Sequence, residues 1–370
     1  MKKYKVCVYA IAKNEEQFVD RWVNSMKEAD AIYVLDTGST DNTVKKLRAH
    51  NIKVKNQIID PWRFDIARNK SLEMVPLDCD ICVCTDLDEV LEKGWRKELE
   101  KVWKKDTNRC RYIYNWSLDK DNKPIVSFYY EKIHSRKNYS WQFPVHEILK
   151  YDGQKENYVK TDKIILNHYP DPTKSRSNYL ELLKLSVEEN PENDRNRHYL
   201  GREYMFHGQW NEAIDTLISH LNLKSATWLD ERSASMRFIA RCYVHLNRIE
   251  EARMWLNKAI KETPYLRDPY VELALLEYKE NNWKEVYHNC KEALKIKMNE
   301  RSYINEVFTF DETVYDLLSI SCFYLGNIEE SLHYIEKALE INPNNERILS
   351  NKKIIEDTLQ KQKEPPYESN

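Results

Sequence analysis

Two hydrophobic rhythms divide the chain. In the first half, short apolar runs alternate with amphipathic stretches. Residues 4–12 alternate as a strand does, residues 31–35 and 79–85 are almost continuously apolar, and residues 52–59 form a third strand-like run. The intervening segments have helical spacing: residues 14–27, with Asn14 as cap and Glu15 and Glu16 in the first turn, residues from about 43 to 50, and residues 64–75. Strand–helix alternation with short buried strands implies a largely parallel sheet with helices on both faces. From about residue 109 the alternation changes. Residues 111–116 and 125–130 read as a hairpin around Asp121-Asn122, and residues 141–150 and 163–168 as further strands or strand-like loops.

After Pro172 the pattern is helical and repeats. Gly208/Ala213/His220, Asn247/Ala252/Ala259, Asn281/Val286/Ala293 and Gly326/Ser331/Ala338 share offsets of five and seven, with starts 39, 34 and 45 residues apart. Pro264 and Pro343 each fall five residues after the third member. This register resembles the 34-residue tetratricopeptide repeat, with insertions near residues 224–230 and 297–310. Small residues at the shared positions let paired helices approach closely, and stacked pairs curve into a concave surface. The expected organisation is a domain over residues 1–172, a linking helix over 173–192, repeats over 193–362 and a disordered tail over 363–370.

Composition changes this picture little. The chain of 370 residues is 41% apolar and 32% charged, and no window approaches the 18 apolar residues of a membrane span. The N-terminal apolar run goes straight into Lys13-Asn14-Glu15-Glu16, so a first strand is expected rather than a signal peptide. Eight cysteines without a regular framework suit a reduced, cytoplasmic protein, and Cys79, Cys82 and Cys84 read as small buried residues. Net charge is +5 over residues 1–175 and −7 over residues 176–370. The basic half suits an anionic small ligand. The acidic half argues against gripping nucleic-acid phosphates.

Candidate chemistry gathers where three apolar runs end. Asn14, Asp36 and Asp86 all fall beyond the carboxyl ends of strands, where open α/β sheets bind ligands. The fourth run ends in Thr85-Asp86-Leu87-Asp88-Glu89, two carboxylates one residue apart at a strand tip. Such a pair suits a hard divalent cation, magnesium or manganese, that shares its shell with phosphates.

Several blocks, in order, resemble the inverting family-2-type glycosyltransferases with the GT-A fold. They are Ile11-Ala-Lys-Asn-Glu15, Val34-Leu-Asp-Thr-Gly-Ser-Thr-Asp-Asn-Thr43, Phe64-Asp-Ile-Ala-Arg-Asn-Lys70, Thr85-Asp-Leu-Asp-Glu89, Val145-His-Glu147 and Asn167-His-Tyr169. The resemblance covers roughly residues 4–170. It looks nearest to a subgroup with trailing tetratricopeptide-like helices, which includes the sublancin-type peptide S-glycosyltransferases and the lipooligosaccharide-core glucosyltransferases. It implies an α/β GT-A domain with a parallel-rich mixed sheet followed by an all-α solenoid. It also implies a UDP-sugar donor, Mn2+ or Mg2+, and inverting transfer of a hexose. In its terms Asp36 reads the uracil, Asn14 and Asp41 line the nucleotide site, Arg68 approaches the diphosphate, and Asp86 holds ribose or a metal-bound water. Asp88 holds the metal, and His168 completes its shell. Glu147 is the candidate base, and His146 orients it or contacts phosphate. Asp119 and Asp121 are alternative bases, though hairpin-turn formers by position. The segment ahead of the His-Glu pair departs from the family's basic-rich pattern. Here it reads Lys132-Ile-His-Ser-Arg-Lys137, and Arg136 fits it loosely.

The acceptor stays open between a peptide or protein, favoured by the repeats, and a saccharide, lipid-linked saccharide or modified DNA base. The repeats would recruit that acceptor or pair two copies of the chain. Two readings compete. In one, an inert transferase domain serves as a protein-interaction scaffold. In the other, a nucleotidyltransferase occupies a similar sheet, but the glycine-rich basic loop it needs is missing from residues 10–16.

Overall fold

The computed structural model describes residues 4–172, 178–297 and 302–363. They form two compact units, one ending at Pro191 and the other beginning at Glu192. The expected tail lies outside the described residues, as do residues 173–177 of the expected linking helix and part of the second insertion.

The N-terminal unit runs β1 (Val6–Ala12), α1 (Val19–Met26), β2 (Ala31–Asp36), α2 (Thr43–Ala49), β3 (Lys53–Asn56), α3 (Phe64–Glu73), β4 (Ile81–Cys84), β5 (Glu89–Leu91), α4 (Trp95–Val102), β6 (Arg109–Leu118), β7 (Pro124–Ser135), β8 (Tyr139–Gln142), β9 (Ile148–Tyr151), β10 (Tyr158–His168) and α5 (Tyr179–Glu189). One eight-stranded sheet has the order β3-β2-β1-β4-β7-β6-β10-β5, and β8 and β9 form a separate hairpin. β1, β2, β3 and β4 are mutually parallel, whereas β7 enters antiparallel between β4 and β6. The expected parallel-rich mixed sheet is therefore present. Its central strands are apolar on both faces because both are covered. Val6, Val8 and Ala10 pack with Trp22, Val23 and Met26, while Cys7, Tyr9, Cys82 and Cys84 pack with Leu72, Trp141 and Leu149.

Two local expectations fail, for identifiable reasons. Asn14 does not cap α1, which begins five residues later at Val19. Its backbone is left-handed (φ 55°) and its Oδ1 accepts from the Thr40 N–H (2.7 Å), a partner 26 residues away that no helix-start pattern reveals. Residues 141–150 are not one strand but the halves of the β8–β9 hairpin. Phe143 and His146 turn the chain with φ of 80° and 50°, which places Glu147 in the turn.

The C-terminal unit is helical throughout: α6 (Asp194–Phe206), α7 (Trp210–Asn222), α8 (Leu229–His245), α9 (Ile249–Glu262), α10 (Asp268–Lys279), α11 (Trp283–Lys295), α12 (Thr313–Tyr324), α13 (Ile328–Ile341) and α14 (Glu346–Lys363). The first eight form the four pairs expected from the repeat. The structure explains the register. Gly208, Asn247, Asn281 and Gly326 each end the first helix of a pair in a left-handed conformation, φ 57–81°, which glycine and asparagine tolerate best. Ala213, Ala252, Val286 and Ser331, and seven residues later His220, Ala259, Ala293 and Ala338, are all fully buried. Close approach is also built into the first pair, where a Cβ on Gly201 would lie 2.5 Å from the Leu217 Cγ.

Candidate active site

The residues that follow β4 are held by a connected set of ion pairs. Arg68, on α3, is almost wholly buried and faces two carboxylates. Its NH1 and NH2 donate to the two Asp86 oxygens (2.8 and 3.1 Å), and its Nε donates to Glu147. Its guanidinium also lies over the Trp141 ring, 5.2 Å from the centroid. Asn69, the next residue of α3, exchanges two 2.8 Å hydrogen bonds with the Trp141 backbone. The helix that carries Arg68 is thereby tied to the hairpin that carries Glu147.

Lys132 from β7 joins the set. Its Nζ lies 3.1 Å from Asp86 and 3.5 Å from Glu89. Glu89 in turn accepts from the Tyr114 hydroxyl and from the Asp86 N–H, both at 2.8 Å. Burial opposes every one of these charges. For Asp86 the two cations outweigh it and hold the carboxyl well below the usual range. The neighbouring carboxylates likewise hold Arg68 and Lys132 above their ordinary values. Glu89 goes the other way. Burial raises its pKa, and the Asp86 charge adds to the rise although Lys132 opposes it. Both Asp86 oxygens are thus engaged by cations.

Asp88 stands apart from that cluster and meets His168 at the end of β10, with Oδ2 3.4 Å from Nε2. The His168 Nδ1 lies 3.0 Å from the Trp116 carbonyl oxygen, which can only accept, so Nδ1 carries a proton and Nε2 is the nitrogen turned to Asp88. The Trp116 ring stacks on His168 at 4.7 Å, and Trp116 is half exposed. Burial alone would lower the His168 pKa, but the Asp88 carboxylate reverses the shift and raises it. A carboxylate and an imidazole nitrogen at this spacing, with the second ring nitrogen fixed by a carbonyl, fit a divalent metal.

The nucleotide-side candidates lie across β1 from this cluster. Asp36 ends β2, and its buried carboxylate accepts from the Gly38 and Ser39 N–H groups and from Asn56. Asp41 accepts from the Thr43 and Glu16 N–H groups, and these bonds hold its pKa down against burial. His146 turns its ring toward Tyr179 of α5, 5.8 Å away. Asp119 accepts from the Asp121 and Lys123 N–H groups inside its hairpin turn. Arg136 donates to the Val75 carbonyl, so the cation that the basic segment brings to Asp86 is Lys132. Reading the sequence missed Lys132 and Glu89. Lys132 had one available signal, since it continues the every-other-residue face of Phe128 and Tyr130, where an unpaired lysine would be out of place.

A mixed sheet with acidic strand tips and buried basic partners is thus followed in the chain by stacked helix pairs. Residues 7–150 match the glycosyl transferase family 2 sequence model, and residues 238–265 and 313–345 match tetratricopeptide repeat models. The chain therefore carries a family 2 glycosyltransferase domain followed by tetratricopeptide repeats. No curated protein sequence matches it significantly. Among solved structures, MamA is 19% identical (TM-score 0.37) over 45% of this chain and 89% of its own. YrrB, a repeat protein with an unusual peptide-binding site, is 16% identical (TM-score 0.36) over 48% and 83%. The C-terminal part of a repeat protein from Cytophaga hutchinsonii is 12% identical (TM-score 0.41) over 50% and 67%. No helix among the described residues is long and apolar enough to cross a membrane.

Proposed function

We propose that the N-terminal unit moves a hexose from a UDP-sugar to an acceptor with inversion at the anomeric carbon, and that the acceptor is a peptide or protein side chain. The observation that carries this reading is the pairing of Asp88 with His168 beside the Arg68–Asp86–Lys132 cluster, a place for a divalent cation next to fixed positive charge. Asp88 and His168 would hold Mn2+ or Mg2+, which supplies charge neutralisation for the departing diphosphate. Arg68 and Lys132 add two buried positive charges on the same side. Asp36 offers its carboxylate to the uracil imide, with Asn14 and Asp41 shaping the loop around it.

Glu147 is the proton acceptor in this reading. It is set in the turn between β8 and β9 and only 11% exposed, with Arg68 as counter-ion. A single base on the face opposite the leaving group is what inversion requires. The repeat array favours an extended polypeptide acceptor, because a small sugar needs no concave surface of four helix pairs. Eight unpaired thiols support a reducing, cytoplasmic setting.

The test is incubation of the full chain with a panel of UDP-sugars and Mn2+, following nucleotide release. Metal-dependent release of UDP from one sugar, and mass addition of that hexose to a peptide, is the expected result. Release of pyrophosphate, or no release with any donor, would overturn the reading.

A further inference from the structure

The repeat register contains one misfit. Where the other three helix pairs have Ala259, Ala293 and Ala338, the first has His220, and all four are fully buried. Alanine serves close helix approach. An imidazole in the same place brings two polar nitrogens into the packing and needs a reason.

Two carboxylates converge on it. Asp194 lies in the first turn of α6 and Glu231 in the first turn of α8, and one ligand atom from each of the three residues lies within 4.8 Å of the others. Acidic residues in first turns are ordinary, because the helix dipole favours them. The histidine is not ordinary. Its Nε2 makes no hydrogen bond and faces Glu231 Oε1 at 3.6 Å. That is beyond the usual N–H···O range of about 2.7–3.2 Å. It is close to the roughly 3.3 Å that separates two donors bound about 2.0–2.1 Å from one tetrahedral zinc ion.

The other ring nitrogen is anchored. Nδ1 of His220 lies 2.9 Å from the Ser235 Oγ, which also lies 2.7 Å from Nδ1 of the buried His198. Burial pushes the His198 pKa down to about 3, so that ring is neutral near pH 7. Ser235 has one proton to give. When it goes to His198, the serine oxygen accepts from the His220 Nδ1–H, and a bare Nε2 lone pair then faces the Glu231 carboxylate, with Asp194 close by. A cation between the two, a metal ion or a proton, resolves that arrangement, and the 3.6 Å gap favours the metal. A hydrogen bond on the second ring nitrogen is also how metal-binding histidines are oriented.

We infer that Asp194, His220 and Glu231 bind a zinc ion, with water as fourth ligand, that ties the end of α7 to the starts of α6 and α8. One imidazole nitrogen and two carboxylate oxygens suit zinc in the three-ligand-plus-water form. The site belongs to the C-terminal unit and is independent of the Asp88–His168 pair, so it stands or falls separately from the transferase reading.

The experiment measures zinc content and melting temperature of the full chain after chelator treatment and dialysis against Zn2+. Asp88→Asn is the background, which removes the other metal candidate. It is compared with Asp88→Asn carrying Asp194→Asn or His220→Gln. The background should hold one zinc per chain and melt higher with zinc than without. Both added substitutions should abolish the bound zinc and the rise. Should His220→Gln fail to fold, Asp194→Asn decides the matter, since Asp194 is only half buried. Replacing zinc by Co2+ should give the visible absorption of a tetrahedral ion. A background variant that holds no zinc, or an Asp194→Asn variant that keeps it in full, overturns the proposal. A proton shared between His220 and Glu231 would then be the occupant.

Discussion

Each unit contains a buried arginine shared by several carboxylates, two for Arg68 and three for Arg237, and the two differ in what those carboxylates are bound to. Arg68 bridges Asp86 and Glu147, whose side chains are 31% and 11% exposed beyond the ends of strands. Arg237, on α8, lies 2.7 Å from Glu272 and 3.7 Å from Asp268, which are 7% and 0% exposed, and it spends a further N–H on the Ile304 carbonyl at 2.8 Å. The second cluster also takes in Glu306 and Arg241, which are 27% and 31% exposed, but these pair with each other and the whole set holds helices and a loop together. The first keeps carboxylate surface available at the edge of a sheet. A buried arginine with perturbed partners is thus no mark of a functional site until the exposure of those partners is considered.

The sharpest way to break this comparison is to replace one glutamate in each cluster. Glu147→Gln should lower turnover by about 10²–10⁴-fold, the usual scale for a general base, while UDP binding survives. Glu272→Gln should leave turnover per folded molecule unchanged. Equal activity in both variants would remove Glu147 from the chemistry. Next in size, Arg237→Met removes one of the two arginines that hold Glu272, leaving Arg241 in place, and should cost about 1–3 kcal/mol in chemical denaturation, with UDP release from the donor unaltered. A similar effect separates packing from charge. Gly201→Val puts a side chain where Leu217 already sits, and overpacking of this kind costs about 1–3 kcal/mol, read as a lower denaturation midpoint of the array.

The last effect is one of pH, and it is common to both units. Burial pushes His134 and His198 each down to about 3, so the folded protein refuses protons that the unfolded chain accepts below about pH 6.5. Stability from each histidine is complete above that pH and is lost as pH falls, by up to about 1.4 kcal/mol per pH unit until about pH 3. His134→Gln should flatten this acid limb for the N-terminal unit and leave it intact for the array. Denaturation midpoints measured from pH 7 to pH 4 give the comparison.

The repeats were legible in the sequence because their determinants are local. A left-handed turn residue and two tightly packed positions recur at fixed offsets, and each pair of helices closes within its own segment. The sheet was legible for a related reason, since strands covered on both faces must be continuously apolar. The start of α1 and the turn at Glu147 were not. Asn14 bonds to Thr40, and the positive φ of Phe143 and His146 leaves no signature in an apolar–polar pattern. The charge cluster was legible only in part. Asp86 and Asp88 announce themselves as neighbours, whereas Arg68 meets Asp86 across 18 residues and Glu147 across 79, and Lys132 reaches Asp86 across 46. Such partners are found by the fold, not by spacing.

The eight cysteines offer a consequence of a different kind. All are buried and unpaired, five in the N-terminal unit (Cys7, Cys79, Cys82, Cys84, Cys110) and three in the array (Cys242, Cys290, Cys322). Burial pushes the Cys84 thiol up to about 11 and the Cys110 and Cys242 thiols up to about 12, so little thiolate forms near neutral pH. The folded chain should therefore be silent toward alkylating reagents, and each unit carries its own set of hidden reporters. Brief alkylation during denaturation, followed by peptide mapping, would time the opening of each unit separately in one sample of the unlabelled, unmutated protein. The same silence means that one cysteine introduced at the half-exposed Trp116 could be labelled alone, without first removing any native thiol.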